Sequence, residues 1–309
     1  MHDAAADAVD RALSVLGDRA ECDVSLAPMT TYRVGGAADV FVQIRALGDL
    51  ALVAQAARES GLPVLVVGRG SNLLVADAGY RGIAISLGEV AGHVEIDHHT
   101  HIVDVGSAVL LPVLARQLAT AGLAGFEWAV GVPGSIGGAV RMNAGGHGSD
   151  LSETLIDARI VDLDDGSDQV IAAADLGLRF RGSGLRSDQV VVSARLQLKG
   201  GDPDDGRTAL SEIVAWRRAN QPGGQNAGSV FVNPVPGEVS AGQLVDEVGL
   251  RGLRHKSATV SEKHANFIQA DDGGSADDVR DLMRLVSAEV EAKTGYVLRS
   301  EIRLIGFES

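Results

Sequence analysis

A single cysteine, Cys22, stands in 309 residues, so neither an intrachain disulfide nor a thiolate metal cage is possible. Aromatic residues make up only 4%, too few for a platform on which nucleic-acid bases stack. Basic residues number 27 against 41 acidic ones, a formal charge of −14. A chain this acidic lacks the clustered Lys and Arg that a phosphate backbone requires, so nucleic acid is not an expected partner. A small anion is a different matter, because backbone N–H groups and a few arginines hold one whatever the net charge. No long hydrophobic run exists either: the stretch from Phe126 to Val140 is broken by Glu127 and laced with Gly and Pro, which excludes membrane insertion. The opening residues, Met1 to Asp10, are acidic and lack the basic-then-apolar order of a signal peptide, so a cytoplasmic location is expected.

What is present is ordinary for a packed protein, 45% hydrophobic residues and 22% charged, over a length that suggests two or three domains. Apolar spacing predicts helices over 3–16, 50–60, 110–121, about 207–219, about 241–248 and from Ser275 to Gly295. Short strands are predicted at 63–67, 73–77, 82–87, 94–96, 102–105, 156–163 and 189–198. A closing strand over 296–306 would put Arg299, Glu301 and Arg303 on one face. The polar run Gly200 to Gly206 reads as the main domain boundary. His98-His-Thr-His101 lies between two short strands without carboxylate or Cys partners at ligand spacing, and reads as a solvated hairpin with no metal.

Glycine marks two loops, each expected at a strand end. Gly68-Arg69-Gly70-Ser71-Asn72 follows a strand, but Leu73 stands where a dinucleotide fingerprint needs its third Gly, and the next run is β-like rather than helical. The second loop, Gly131 to Gly146, carries six glycines in sixteen residues. Gly lets consecutive N–H groups point into one concavity, as a diphosphate needs, but it equally permits a tight connection between strands; composition alone leaves both open. Neither loop ends in the Lys-Ser/Thr of a nucleotide-hydrolysing P-loop.

The residues Pro63 to Val75 and Gly131 to Gly145 together resemble the UDP-N-acetylenolpyruvoylglucosamine reductase (MurB) family. Ala227-Gly-Ser-Val-Phe-Val-Asn-Pro234, Ser261 to Ile268 and Arg299 to Gly306 extend the resemblance in the family's order, from about Thr30 to Gly306. It implies an α+β fold: an FAD-binding domain of the vanillyl-alcohol-oxidase (PCMH) type in two lobes, about 30–88 and 89–200, after an N-terminal helical segment over 1–29. A smaller C-terminal α/β substrate-binding domain over 207–309 follows. The short link after Asn233 is similar to the family's compact subtype. The implied reaction is NADPH-dependent reduction of a UDP-sugar enolpyruvyl ether in peptidoglycan precursor synthesis, and through it cell-wall biogenesis, cell shape and division.

That resemblance also implies a site. Gly68, Arg69, Gly70, Ser71 and Asn72, with Pro133, Gly134, Ser135, Gly137, Gly138, Asn143 and Gly146, would hold FAD non-covalently; Cys22 precedes the whole flavin domain and offers no thiol tether. Ser229 matches the family's proton donor, Arg181 the arginine of a Tyr-Arg-x-Ser motif, and Glu301 the C-terminal glutamate near the substrate carboxylate. Arg217, Asn233 and Arg303 are further substrate-binding candidates. Phe180 stands where the family usually has Tyr, and Asn220 where some relatives carry Lys. A different FAD-dependent oxidase on the same scaffold, or a non-catalytic nucleotide-binding relative, remains a competing reading at this point.

Overall fold

Apolar residues at helical spacing and short alternating runs sort the chain into two units. The computed structural model describes residues 2–307, with side chains from residue 6 onward. Of the described residues, one unit comprises 2–23, 39–69 and 81–217, the other 24–38, 70–80 and 218–307.

The first unit has two cores. Helix α1 (His2–Leu16) buries Ala12 and Leu16, and α2 (Asp49–Ser60) buries Leu50, Val53 and Ala56. Helix α2 stops at Gly61, whose φ of +74° is the left-handed cap a β-carbon would oppose. Both helices share a core with Val40, Val42, Ile83 and Ile85 of a sheet ordered Ala20–Ser25, Ala37–Gln43, Tyr80–Ser86, Val64–Val66. Val64 lies opposite Ile83 in a parallel pairing.

The second core lies under an antiparallel sheet ordered Asp168–Ala172, Leu155–Asp162, Gln189–Gln197, Ile102–Gly106, Val94–Asp97. Helices α3 (Leu111–Thr120) and α4 (Ile136–Met142) pack Leu114, Leu118, Ile136 and Val140 into it beside Phe126, Ile160 and Leu196. Helix α5 (Pro203–Asn220) adds Leu210. It starts inside the run read from sequence as a break: Pro203 takes the first turn, where its missing N–H has no partner to lose. Composition left the Gly131–Gly146 stretch open between a ligand-holding nest and a tight strand connection, and it is not a bare connection. It enters from a 3-10 turn over Glu127–Gly131 and holds a short helix of its own.

In the second unit, α6 (Ala241–Glu247) and α7 (Ala276–Thr294) share a core with the antiparallel strands Arg254–His255, Ala258–Val260 and Ile268–Ala270. Helix α7 buries Val279, Leu282, Met283, Val286 and Val290 at helical spacing and stops at Gly295. The buried Tyr32 donates its hydroxyl to the Ile268 carbonyl at 3.1 Å. Burial alone pushes that phenol's pKa up. The closing strand is shorter than its sequence suggests: only Arg303–Ile305 is strand, paired in parallel with Leu73–Val75. Before it, Ser300 bridges Phe231 and donates its hydroxyl to the Ile302 carbonyl at 2.6 Å. That turn prevents Arg299, Glu301 and Arg303 from sharing a regular strand face.

Candidate active site

Strand ends and the α4 turn enclose a cavity of about 220 Å³ in the first unit, with Gly68 and Arg69 on one wall and Ser107, Ser135, Gly137 and Gly138 on another. The second glycine loop is pinned there by backbone bonds. Leu111 N–H donates to the Gly134 carbonyl at 2.9 Å, Ile136 N–H to Val109 at 3.0 Å, and Gly137 N–H to Ser107 at 2.8 Å. At two positions on these walls glycine avoids a close approach to a serine. A β-carbon on Gly137 would lie 3.0 Å from that of Ser107, and one on Gly68 would lie 2.7 Å from the Ser135 hydroxyl.

Ser107 was not legible as a site residue in the sequence. Its hydroxyl is buried on this cavity and has no hydrogen-bond partner among the described residues. An orphaned donor of this kind calls for an acceptor supplied from outside the chain. Together the glycine walls and the orphaned hydroxyl suit a phosphate-bearing cofactor approached by backbone and hydroxyl groups. Arg141 and Gln189 also line the cavity, and the Arg141 guanidinium reaches the carbonyls of Arg186, at 3.0 Å, and Gln189.

The other FAD candidates divide. Pro133, Gly134 and Gly146 are in the same unit but not in this lining. Asn143 is 4% exposed and turns the chain out of α4 at φ +39°. Its carboxamide accepts from Ser152 N–H at 3.0 Å and donates to the Arg179 carbonyl at 3.4 Å, so it is engaged in closing the loop. Gly70, Ser71 and Asn72 belong to the second unit. Gly70 is obligatory there: its φ is +61° and a β-carbon would meet the Met29 carbonyl at 2.2 Å.

Still in the first unit, Arg181 occupies a left-handed position, φ +57°, in a tight turn bridged by Arg179 and Gly182. Its Nη1 donates to the Gly145 carbonyl at 2.8 Å and its guanidinium lies 5.3 Å from the Phe180 ring centroid. A positive φ is uncommon at a non-glycine residue, and Asn143 and His147 share it. Arg217 packs against Gly131, and burial lowers its pKa from the ordinary guanidinium value. His147 meets Trp216 edge-on at 5.0 Å between ring centroids. Partial burial, and then the Arg217 charge, push its imidazole pKa down, which favours the neutral ring.

The second unit brings the C-terminal motifs together. Glu301 N–H donates to the Val230 carbonyl at 2.8 Å and Val232 N–H to the Arg299 carbonyl at 2.9 Å. The chain beside Ser229 thus runs along the chain that carries Glu301. Asn72 joins them, donating its amide to the Glu301 backbone carbonyl at 3.2 Å and accepting Arg303 N–H at 2.9 Å. The Asn233 carboxamide oxygen accepts Ala241 N–H at 3.0 Å and so holds the start of α6. At the hairpin, His99 and Thr100 N–H groups close on the Asp97 carboxylate. Among the described residues no three His, Cys, Asp or Glu side chains gather as a metal site, and no helix is long and apolar enough to cross a membrane.

The glycine-walled cavity is lined by residues between 66 and 191, and residues 38–171 match the family description "FAD binding domain", which places the chain among flavin-dependent oxidoreductases. Residues 220–305 match the C-terminal domain of UDP-N-acetylenolpyruvoylglucosamine reductase. The chain belongs to the UDP-N-acetylenolpyruvoylglucosamine reductase family. It is 42% identical over 279 residues to the reductase of Heliobacterium modesticaldum, covering 90% of this chain and 88% of that one. With the reductase of Gloeobacter violaceus it shares 41% over 292 residues, 94% and 97% of the two chains. The crystal structure of the Thermus caldophilus reductase (MurB) superposes with a TM-score of 0.80 at 33% identity, over 93% of this chain and 99% of that one.

Proposed function

We propose that the chain reduces the enolpyruvyl ether of UDP-N-acetylglucosamine to the lactyl ether of UDP-N-acetylmuramate in peptidoglycan precursor synthesis, with Ser229, Arg181 and Glu301 as its catalytic groups. The observation that carries the assignment of residues is the pairing of the 230–232 segment with 299–301, which joins two motifs far apart in sequence. When bound, FAD supplies the redox chemistry, taking two electrons from NADPH and giving them to the terminal methylene carbon. The glycine walls and the Ser107 hydroxyl would hold that cofactor, with Gly68, Arg69, Ser135, Gly137 and Gly138 lining its place.

Negative charge then develops on the substrate's neighbouring carbon and spreads into its carboxylate. Arg181, permanently charged and fixed at Gly145 and Phe180, offsets that charge with a planar fork. The alkene π bond breaks and two C–H bonds form; the second takes its proton from the Ser229 hydroxyl, which solvent then reprotonates. A hydroxyl is a weak acid and suits only a strongly basic carbanion such as this one. Glu301 acts at the carboxylate through a hydrogen bond. Arg217 and Arg303 bind the anionic nucleotide, and Asn233 orients it. Phe180, exposed at 58%, gives Arg181 its packing face where the family's Tyr would add a hydroxyl. In this reading residues 30–200 serve the cofactor and 207–309 the substrate, in the cytoplasm, where both nucleotides are made.

A visible absorption spectrum of the purified protein tests the reading directly. Flavin bands should bleach on anaerobic addition of NADPH and return on addition of the enolpyruvyl substrate. Return of the bands with oxygen alone, at the same rate as with the substrate, would instead identify an oxidase.

A further inference from the structure

The segment Ser261–Ile268 holds a buried polar side chain for which neither cofactor nor substrate accounts. Asn266 is 3% exposed. Its Oδ1 accepts the Phe231 N–H at 3.0 Å and its Nδ2 donates to the Phe231 carbonyl at 2.9 Å. The side chain thereby satisfies both backbone groups of one buried residue, as a neighbouring strand would, and only one orientation of the amide does so. The Asn266 main-chain carbonyl accepts Val230 N–H at 2.9 Å as well. With Glu301 N–H on the Val230 carbonyl, every backbone polar group of residues 230 and 231 is fixed.

Asn266 is itself held rigidly. Its N–H donates to His264 Nδ1 at 3.2 Å, and the Ser261 hydroxyl accepts Lys263 N–H at 3.1 Å and His264 N–H at 3.3 Å. On the far side of Ser229 the chain turns through Gly228, φ +79°, with its N–H on the Asn226 carboxamide at 3.0 Å. Ser229 therefore sits between a glycine turn and a locked dipeptide, and the lock sets its direction.

We propose that Asn266 is a positioning residue for proton delivery: through Phe231 and Val230 it aims the Ser229 hydroxyl. The proposal rests on the assignment of the proton to Ser229. Asn266 touches no reacting atom, and its effect is orientation, where displacements near 1 Å are worth about 100-fold in rate.

Asn266→Asp in the flavin-loaded enzyme is the discriminating variant. It keeps the shape and the acceptor for Phe231 N–H. It keeps the donor to the Phe231 carbonyl only while the carboxyl is protonated, and burial raises that carboxyl above its solution value of about 4. Anaerobic stopped-flow should show reduction by NADPH as in the wild type. Reoxidation by the enolpyruvyl substrate should be about 100-fold slower at high pH and recover as pH falls. The wild type controls for the adjacent His264. Combined with Ser229→Ala, the Asp substitution should add nothing to the slowing caused by Ser229→Ala alone.

Equal slowing of both half-reactions, or loss of bound flavin, would make Asn266 a residue of the fold and overturn the proposal. So would wild-type reoxidation at all pH values, or multiplication of the two effects. If Ser229→Ala alone leaves reoxidation unchanged, it is the assignment to Ser229 that fails, and the proposal fails with it.

Discussion

Ser107 and Ser229 carry the same functional group, yet only one was visible in the sequence. Ser229 lies in a motif whose order along the chain matches the family. Ser107 follows a strand in an unremarkable Gly-Ser pair, and its significance is tertiary: a buried hydroxyl with no partner among the described residues. Such a group destabilises a fold by about 1–3 kcal/mol when left unsatisfied. Ser107→Ala should therefore leave the flavin-free protein as stable or more so, while weakening FAD binding about tenfold, the loss of one net hydrogen bond of about 1.4 kcal/mol. Calorimetric titration of stripped protein with FAD, beside its melting temperature, checks both signs; unchanged affinity would remove Ser107 from the cofactor site. For Ser229→Ala, reoxidation by substrate should slow by about 10²–10⁴ with flavin reduction untouched, and equal loss in both halves would remove the assigned role. Asn143 shows the converse limit. Its place in the glycine motif suggested a ligand contact, while its carboxamide is used to close the turn after α4.

Helix α7 was legible at both ends, because Ser275 caps the N–H of Asp278, Gly295 ends the helix, and the apolar stripe between has one period. What the sequence hides is the second cap. Asp77, far upstream, accepts the Ser275 hydroxyl, the Ala276 N–H at 2.9 Å and the Asp277 N–H at 3.2 Å. Asp77→Ala should destabilise the second unit by about 1–2 kcal/mol, read as a lower urea midpoint with unchanged slope. Asp278 gives the same helix a pH dependence. The Ser257 hydroxyl first, then Lys256 against the opposing effect of burial, hold its carboxyl below the ordinary range. A depressed folded-state pKa means stability present above the unfolded value of about 4 and lost as pH falls through and below it. Asp278→Asn should flatten that acid limb, and an unchanged limb in acid titration of unfolding would show that other carboxylates govern it. Among the elements that sequence reasoning missed, α4 and the strands over 254–270 are short, and short elements carry too few periods to stand out from loops.

Two domains in the family's order were readable from motif positions. The grouping of 24–38 and 70–80 with 218–307 was not. It depends on the parallel pairing of Leu73–Val75 with Arg303–Ile305, and strand pairing across most of a chain leaves no local mark in either strand. The cavity is likewise a property of the assembled first unit, made by small residues meeting: Gly68 against Ser135, Gly137 against Ser107. A ligand bound only by the native state stabilises it by RT ln(1 + [L]/Kd), about 2.7 kcal/mol at a hundredfold excess over Kd. Stripping the flavin should lower the melting temperature, and adding FAD back should raise it continuously with concentration. Gly137→Ala should weaken that dependence, since its new β-carbon would stand 3.0 Å from that of Ser107 on the cavity lining. Thermal melts across an FAD series for both proteins decide the matter: a Gly137→Ala melting temperature that follows FAD as the wild type's does would mean that this cavity is not where the cofactor is held.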